Sequence, residues 1–156
     1  MSAGANHVVE QNTQKTRFNQ ANFIQSFIMK MNSIYTYSEA DETDILNTLK
    51  RDRNWDILTN DATIEKYKIA LKSSVTYVAR QDAVFCGFIR AISDEGIALY
   101  ISELYVKEEH RNSGIGHALI ERIKHDFQTV TVYALSDEDT YYLKHGYRRI
   151  GSVFEI

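Results

Sequence analysis

Two glycines stand at the mouth of an apolar-periodic segment, in the run Arg111-Asn112-Ser113-Gly114-Ile115-Gly116. Downstream, Ile115, Leu119 and Ile123 recur every four residues, the spacing of one helix face. Glycine lets backbone N–H groups approach a ligand without a Cβ in the way. The first turn of a helix carries unpaired N–H donors and the positive end of its dipole, a ready site for an anion such as a pyrophosphate. Arg111 adds a charge that phosphate favours. An NTPase loop would need Lys and Ser/Thr after the last glycine, but His117 follows Gly116. A dinucleotide fingerprint would need a third glycine where Ile120 stands, and no strand–helix–strand unit opens the chain.

The elements that must position this run alternate along the chain. Ser33–Tyr37 reads as a strand, followed by a helix over Glu39–Arg53 with Ser38 as its cap. Its acids Glu39, Asp41, Glu42 and Asp44 lie near the start and its bases Lys50, Arg51 and Arg53 at the end, in the order that suits a helix dipole. A second helix, capped by Thr59, Asn60 or Asp61, runs to about Lys72. Strands follow at Val75–Arg80 and Ala83–Ile92, turning at Gln81-Asp82, and then at Ile97–Val106. A helix to about Asp126, a strand over Thr129–Leu135 and a short helix over Asp137–His145 complete the body. Tyr147–Ile150 and Ser152–Ile156 read as short terminal strands. The order βααβββαβαβ describes one mixed α/β domain over residues 31–156. Three successive strands argue against a doubly wound sheet.

Residues 1–30 differ. They are rich in Asn and Gln and hold four charges, Glu10, Lys15, Arg17 and Lys30. Phe23, Ile24, Phe27, Ile28 and Met31 fall at helical spacing, so a short helix is expected over Asn19–Met31. It reads as a docking arm, a dimer contact or a leader; no signal-peptide pattern is recognised.

The run Arg111–Gly116 resembles the GNAT superfamily of N-acetyltransferases, whose signature is Arg/Gln-x-x-Gly-x-Gly/Ala between the fourth strand and the next helix. Glu103-Leu104-Tyr105-Val106 and Glu109-His110-Arg111 resemble the family's approach to it. A second match is Tyr141-Tyr142-Leu143-Lys144-His145-Gly146-Tyr147, similar to the family's Phe-Tyr-x-x-x-Gly-Phe. The element order agrees over Ser33–Ile156. Leu135 stands where members often carry Asn.

The resemblance implies a GNAT-like mixed sheet flanked by helices, with acetyl-CoA as co-substrate. It implies a fourth strand that splays from the fifth at a bulge, so that pantetheine lies against Leu104, Tyr105 and Val106. Arg111, Asn112, Ser113, Gly114, Ile115 and Gly116 would then hold the pyrophosphate. Tyr142 matches the family tyrosine that faces the sulfur, a sensible acid for a leaving thiolate. Glu103 is the best-placed carboxylate to take a proton from the acceptor, directly or through water. The implied reaction is direct acetyl transfer to a primary amine, of a small molecule in the first reading. A non-catalytic CoA-binding regulatory domain and a protein- or tRNA-modifying acetyltransferase remain as alternatives.

Composition narrows the choice. The chain has 156 residues, 44 % apolar and 25 % charged, as a globular domain does. No run approaches the ~20 apolar residues of a membrane span. The net charge of −3 disfavours a nucleic-acid partner. The single cysteine, Cys86, excludes a disulfide framework and fits a reducing compartment, so a cytoplasmic location is expected. It reads as core, not as a nucleophile. The histidines show no metal-ligand spacing, and no metal is expected. Trp55 and Tyr37 either line the acceptor cleft or pack in the core. The apolar N-terminal segment and the short final strands leave surface or a sheet edge that a second copy of the chain would cover.

Overall fold

The computed structural model describes residues 33–156. Of the segment before them it describes only positions 20, 22, 24 and 26, all helical; the helix expected over Asn19–Met31 otherwise lies outside the described residues. Five strands form one sheet in chain order: β1 (Ile34–Thr36), β2 (Val75–Gln81), β3 (Val84–Asp94), β4 (Ala98–Val106) and β5 (Thr131–Ala134). β1 to β4 pair antiparallel and β5 joins β4 in parallel. The parallel step needs a crossover, and α4 (Ile115–Asp126) supplies it.

Helices cover both faces. α1 (Glu42–Arg51), the single turn α2 (Asp56–Thr59) and α3 (Ile64–Ser73) precede β2. Ile45, Leu46 and Leu49 of α1 and Tyr67 and Leu71 of α3 pack on Val78, Phe88 and Tyr105 of the sheet. On the other face Ile115, Leu119 and Ile123 of α4 pack on Ile89, Leu99 and Ile101. Ile89, Leu99, Leu119 and Ile123 lie among the largest fully buried side chains, each contributing about 1.5–3 kcal/mol by leaving water. α5 (Asp139–Lys144) closes the second layer through Tyr141 and Tyr142.

Local chemistry moved several boundaries. The first helix opens with a 3-10 turn over Glu39–Asp41, because Ser38 N and Oγ both donate to the Asp41 carboxylate at 2.9 Å. Asn60 separates α2 from α3, its Oδ1 accepting from Ala62 N at 3.0 Å. The β2–β3 turn falls on Asp82 and Ala83, with φ of 47° and 67°, the left-handed pair that a two-residue hairpin requires. The terminal strands expected over Tyr147–Ile150 and Ser152–Ile156 do not form. Tyr147 N instead bonds back to Tyr142 O at 3.1 Å, closing α5. Ile150, Val153, Phe154 and Ile156 are exposed. Alternating apolar residues read as a strand, but a strand also needs a neighbour's ladder, and β5 offers an edge only four residues long.

β4 changes phase midway. Arg90 of β3 stands opposite Glu103, whereas Ala91 stands opposite Ile101, so Ser102 is an extra residue on β4. Before it, Leu99 and Ile101 face α4; after it, Leu104 and Val106 do. β5 pairs only with Ala98–Ile101, and its last bond is Leu135 N to Ile101 O at 2.9 Å. Beyond the bulge, Ser102–Val106 has no strand on that side among the described residues.

Candidate active site

The split between β4 and β5 and the loop into α4 meet at Val106. Arg111 Nε donates to Val106 O at 3.0 Å, fixing the loop against the strand end. Asn112 and Gly114 take φ of 58° and 86°. Such left-handed residues turn successive N–H groups toward one point and make an anion-binding concavity. Gly114 is the N-cap of α4, and it makes no side-chain cap bond at this helix start. Ser113 Oγ donates to His110 O at 2.5 Å, which holds the loop closed. Ile115 is 3 % exposed, so it offers only its backbone.

Gly116 faces α5. A Cβ built there would stand 2.7 Å from Tyr141 Oη and 3.6 Å from Val106 Cγ2. Tyr141 Oη is buried with no hydrogen-bond partner among the described residues. Its neighbour Tyr142 packs edge-on against it, with centroids 5.2 Å apart, and lies in the α4 layer. Burial, aided by Asp137, pushes the Tyr142 phenol up to about 12. Tyr142 shares a cavity of about 830 Å³ with Ile101, Ala134 and Leu135, where β5 leaves β4. His117, half-buried, stacks on His145 at 5.1 Å, and burial lowers its pKa.

Glu103 lies on the opposite face, 6 % exposed. Arg90 grips its carboxylate with Nε and with Nη2, the latter at 2.6 Å, and Tyr67 Oη donates to it at 3.5 Å. Arg90 Nη1 donates to Ser74 Oγ at 3.0 Å. A carboxylate has about four lone-pair sites, so the Arg90 pair leaves room for a further donor. Tyr105 points to the same side, stacked on Phe88 and edge-on to Trp55. Trp55 and Tyr37 both pack against that core. The acids of the first helix are all in ion pairs: Glu39 with Lys72, Asp41 and Asp44 with Arg80, Glu42 with Lys68. Cys86 is fully buried and burial pushes its thiol up, away from the reactive thiolate.

Folding thus gathers Leu104–Val106 with Arg111–Gly116 and brings α5 against them, while Glu103 reaches the same split from the other face. Arg90, Tyr67 and Ser74 carried no motif: strand register brings Arg90 to Glu103, α3 brings Tyr67, and Ser74 at the end of α3 holds Arg90. Among the described residues no helix is long and apolar enough to cross a membrane, and no group of three His, Cys, Asp or Glu is placed to hold a metal ion.

The family model of the acetyltransferase (GNAT) domain matches residues 36–156. The chain belongs to the GNAT family. It is 31 % identical over 94 residues to an uncharacterised N-acetyltransferase, ycf52, of Pyropia yezoensis, a match covering 54 % of each chain. The chain therefore spans about half the length of that curated relative. Among solved structures, a GNAT-family acetyltransferase of Streptococcus pneumoniae aligns with a TM-score of 0.62 at 21 % identity, covering 79 % of this chain and 96 % of that one. An aminoglycoside N-acetyltransferase, AAC(6')-Iy, in complex with CoA, aligns at 0.63 and 14 % identity, covering 79 % and 91 %. A ribosomal-protein-alanine N-acetyltransferase of Brucella melitensis aligns at 0.58 and 18 %, covering 79 % and 96 %. At these identities the likeness is one of fold: a GNAT sheet with β4 and β5 parallel.

Proposed function

We propose that this GNAT protein is an acetyl-CoA-dependent N-acetyltransferase acting on a primary amine by direct transfer. The observation that carries this is the open β4 edge beside an uncapped helix start whose loop residues Asn112 and Gly114 are left-handed. Those residues fit the two ends of acetyl-CoA. The first-turn N–H groups of α4 and the Arg111 guanidinium suit its phosphates. The open edge of β4 along Leu104, Tyr105 and Val106, which has no strand beside it among the described residues, suits the amides of pantetheine.

Acetyl-CoA supplies the acetyl group as an activated thioester. The backbone of β4 past the bulge holds it extended, and an N–H there stabilises charge developing on the thioester oxygen. Tyr142 donates a hydrogen bond where the sulfur leaves. Glu103 accepts the proton of the amine through water, using the capacity that Arg90 leaves. An alkyl amine titrates near ~10.4, so at neutral pH it arrives charged and must lose a proton before attack.

The test is thermal unfolding with and without acetyl-CoA, for wild type and Arg111→Glu. A ligand at 100 times its Kd stabilises by about 2.7 kcal/mol. At ~2–4 °C per kcal/mol this is a rise of several degrees in Tm. Wild type is expected to show it and Arg111→Glu to lose most of it. No rise in wild type at saturating acetyl-CoA refutes the assignment. A rise without thiol release against any amine makes the protein a CoA-binding module instead.

A further inference from the structure

On the face that carries α1 and α3, these two helices cover the sheet only as far as the Arg90–Glu103 pair. Beyond it a row of side chains crosses three strands. Ile92 stands opposite Tyr100, and Tyr100 opposite Tyr133. The two tyrosine rings stack, 5.5 Å apart and 27° from parallel. Ile92 is 48 % exposed and Tyr100 38 %. On β4, Tyr100 and, past the bulge, Glu103 share this face. The row is continuous with the reaction site: Tyr100, Tyr133 and Leu135 line the same cavity as Tyr142.

The charges around this cavity define what it suits. Among the described residues Asp139 is its one carboxylate, and Arg149 stands 3.5 Å from it. Lys124, Arg148 and Arg149 are its cations. Glu103, close by, is neutralised by Arg90. A site for a polycation needs uncompensated carboxylates, and this one offers ring faces and aliphatic surface. Ring faces hold a single cation by its attraction to the π-cloud and an aromatic body by stacking.

We propose that Tyr100 and Tyr133 are the floor of the acceptor site, and that the acceptor is a monoamine carried on an aromatic or apolar body. This rests on the acetyltransferase reading. With the body on the tyrosines, the amine points along β4 toward Glu103 and the split. The amine nitrogen forms the C–N bond as the thioester C–S bond breaks. The proton that nitrogen loses balances the one the thiolate takes up. The cavity, about 830 Å³, is within the usual range for small-molecule sites.

The experiment uses the full chain and measures thiol release with 2-phenylethylamine, spermidine and kanamycin, together with calorimetric binding of 2-phenylethylamine to CoA-loaded protein. The expected result is a kcat/KM for 2-phenylethylamine at least tenfold above those for spermidine and kanamycin. Tyr100→Ala and Tyr133→Ala should each raise its KM fivefold or more, with the acetyl-CoA thermal shift and the KM for acetyl-CoA unchanged. Tyr100→Phe and Tyr133→Phe should keep near wild-type KM. Equal or better turnover of spermidine or kanamycin overturns the proposal. So does an unchanged KM in both alanine variants, or an absence of both binding and turnover of 2-phenylethylamine. If wild type shows no acetyl-CoA shift, the acetyltransferase reading fails first and the acceptor assignment falls with it.

Discussion

A phenol at about 12 and a thiol that titrates near ~8.5 are mismatched for complete proton transfer. Tyr142 therefore stabilises the leaving thiolate by donating a hydrogen bond and keeps its proton throughout the working range. Tyr142→Phe is expected to lower kcat by about 10- to 100-fold with KM for acetyl-CoA within twofold. The pH profile follows with its sign. Activity rises with pH as the acceptor amine loses its proton, and no falling limb from Tyr142 enters below about pH 10. A falling limb centred near pH 8 in wild type, absent in Tyr142→Phe, would contradict this. At this scale the sequence was readable where spacing is local. Arg111–Gly116 and Tyr141–Tyr142 announce themselves as short runs. Arg90, Ser74 and Tyr67 do not, because Arg90 meets Glu103 across a ladder, Tyr67 meets it from a helix, and Ser74 touches only Arg90.

Between elements, the contact of α4 with α5 is set by one missing methyl. Gly116 lets the Tyr141 hydroxyl rest where a Cβ would otherwise stand, at 2.7 Å. Gly116→Ala is expected to cost about 1–3 kcal/mol, the range for overpacking. Tyr141→Phe removes a buried hydroxyl that has no partner among the described residues, so it should be neutral or stabilising alone and should rescue most of the Gly116→Ala loss. A thermal double-mutant cycle reads the coupling; additive effects would show that the hydroxyl is not the obstacle. Element type was legible wherever periodicity and caps agreed: β2, β3, β4 and α4 fall within two residues of expectation. The closing strands were misread because alternation reports a pattern, not a partner. The acids of the first helix read in sequence as a helix start that suits the dipole, and only the fold brings Lys68, Lys72 and Arg80 to them.

For the whole molecule, the far end of α4 ties the layers together. Tyr77 Oη and Arg122 Nε both donate to Asp126, at 2.6 and 2.8 Å, and Arg122 Nη1 donates to Ile34 O at 3.0 Å. Burial would raise the Asp126 carboxyl, but the Tyr77, Arg122 and His125 bonds outweigh it and hold it at about 2. A depressed carboxyl stabilises the fold above its unfolded value, near ~3.9, and the gain is lost as pH falls toward 2. Asp126 is partly exposed, so screening reduces this to about 1 kcal/mol, or ~2–4 °C in Tm. Tyr77→Phe should melt below wild type at pH 6, and the gap should close by pH 2; a constant gap would place the effect in packing instead. The split itself was legible only as a family expectation, since no local pattern in Ser102 marks an inserted residue. That inserted residue makes β4 a sentence written in two reading frames. Delete Ser102 and the frame becomes continuous: Arg90 and Ala91 of β3 would face two adjacent residues, Glu103 and Ile101, and every later side chain would keep its layer. What would be lost is the bulge itself, with the local bend and twist it gives β4 where its pairing with β5 ends.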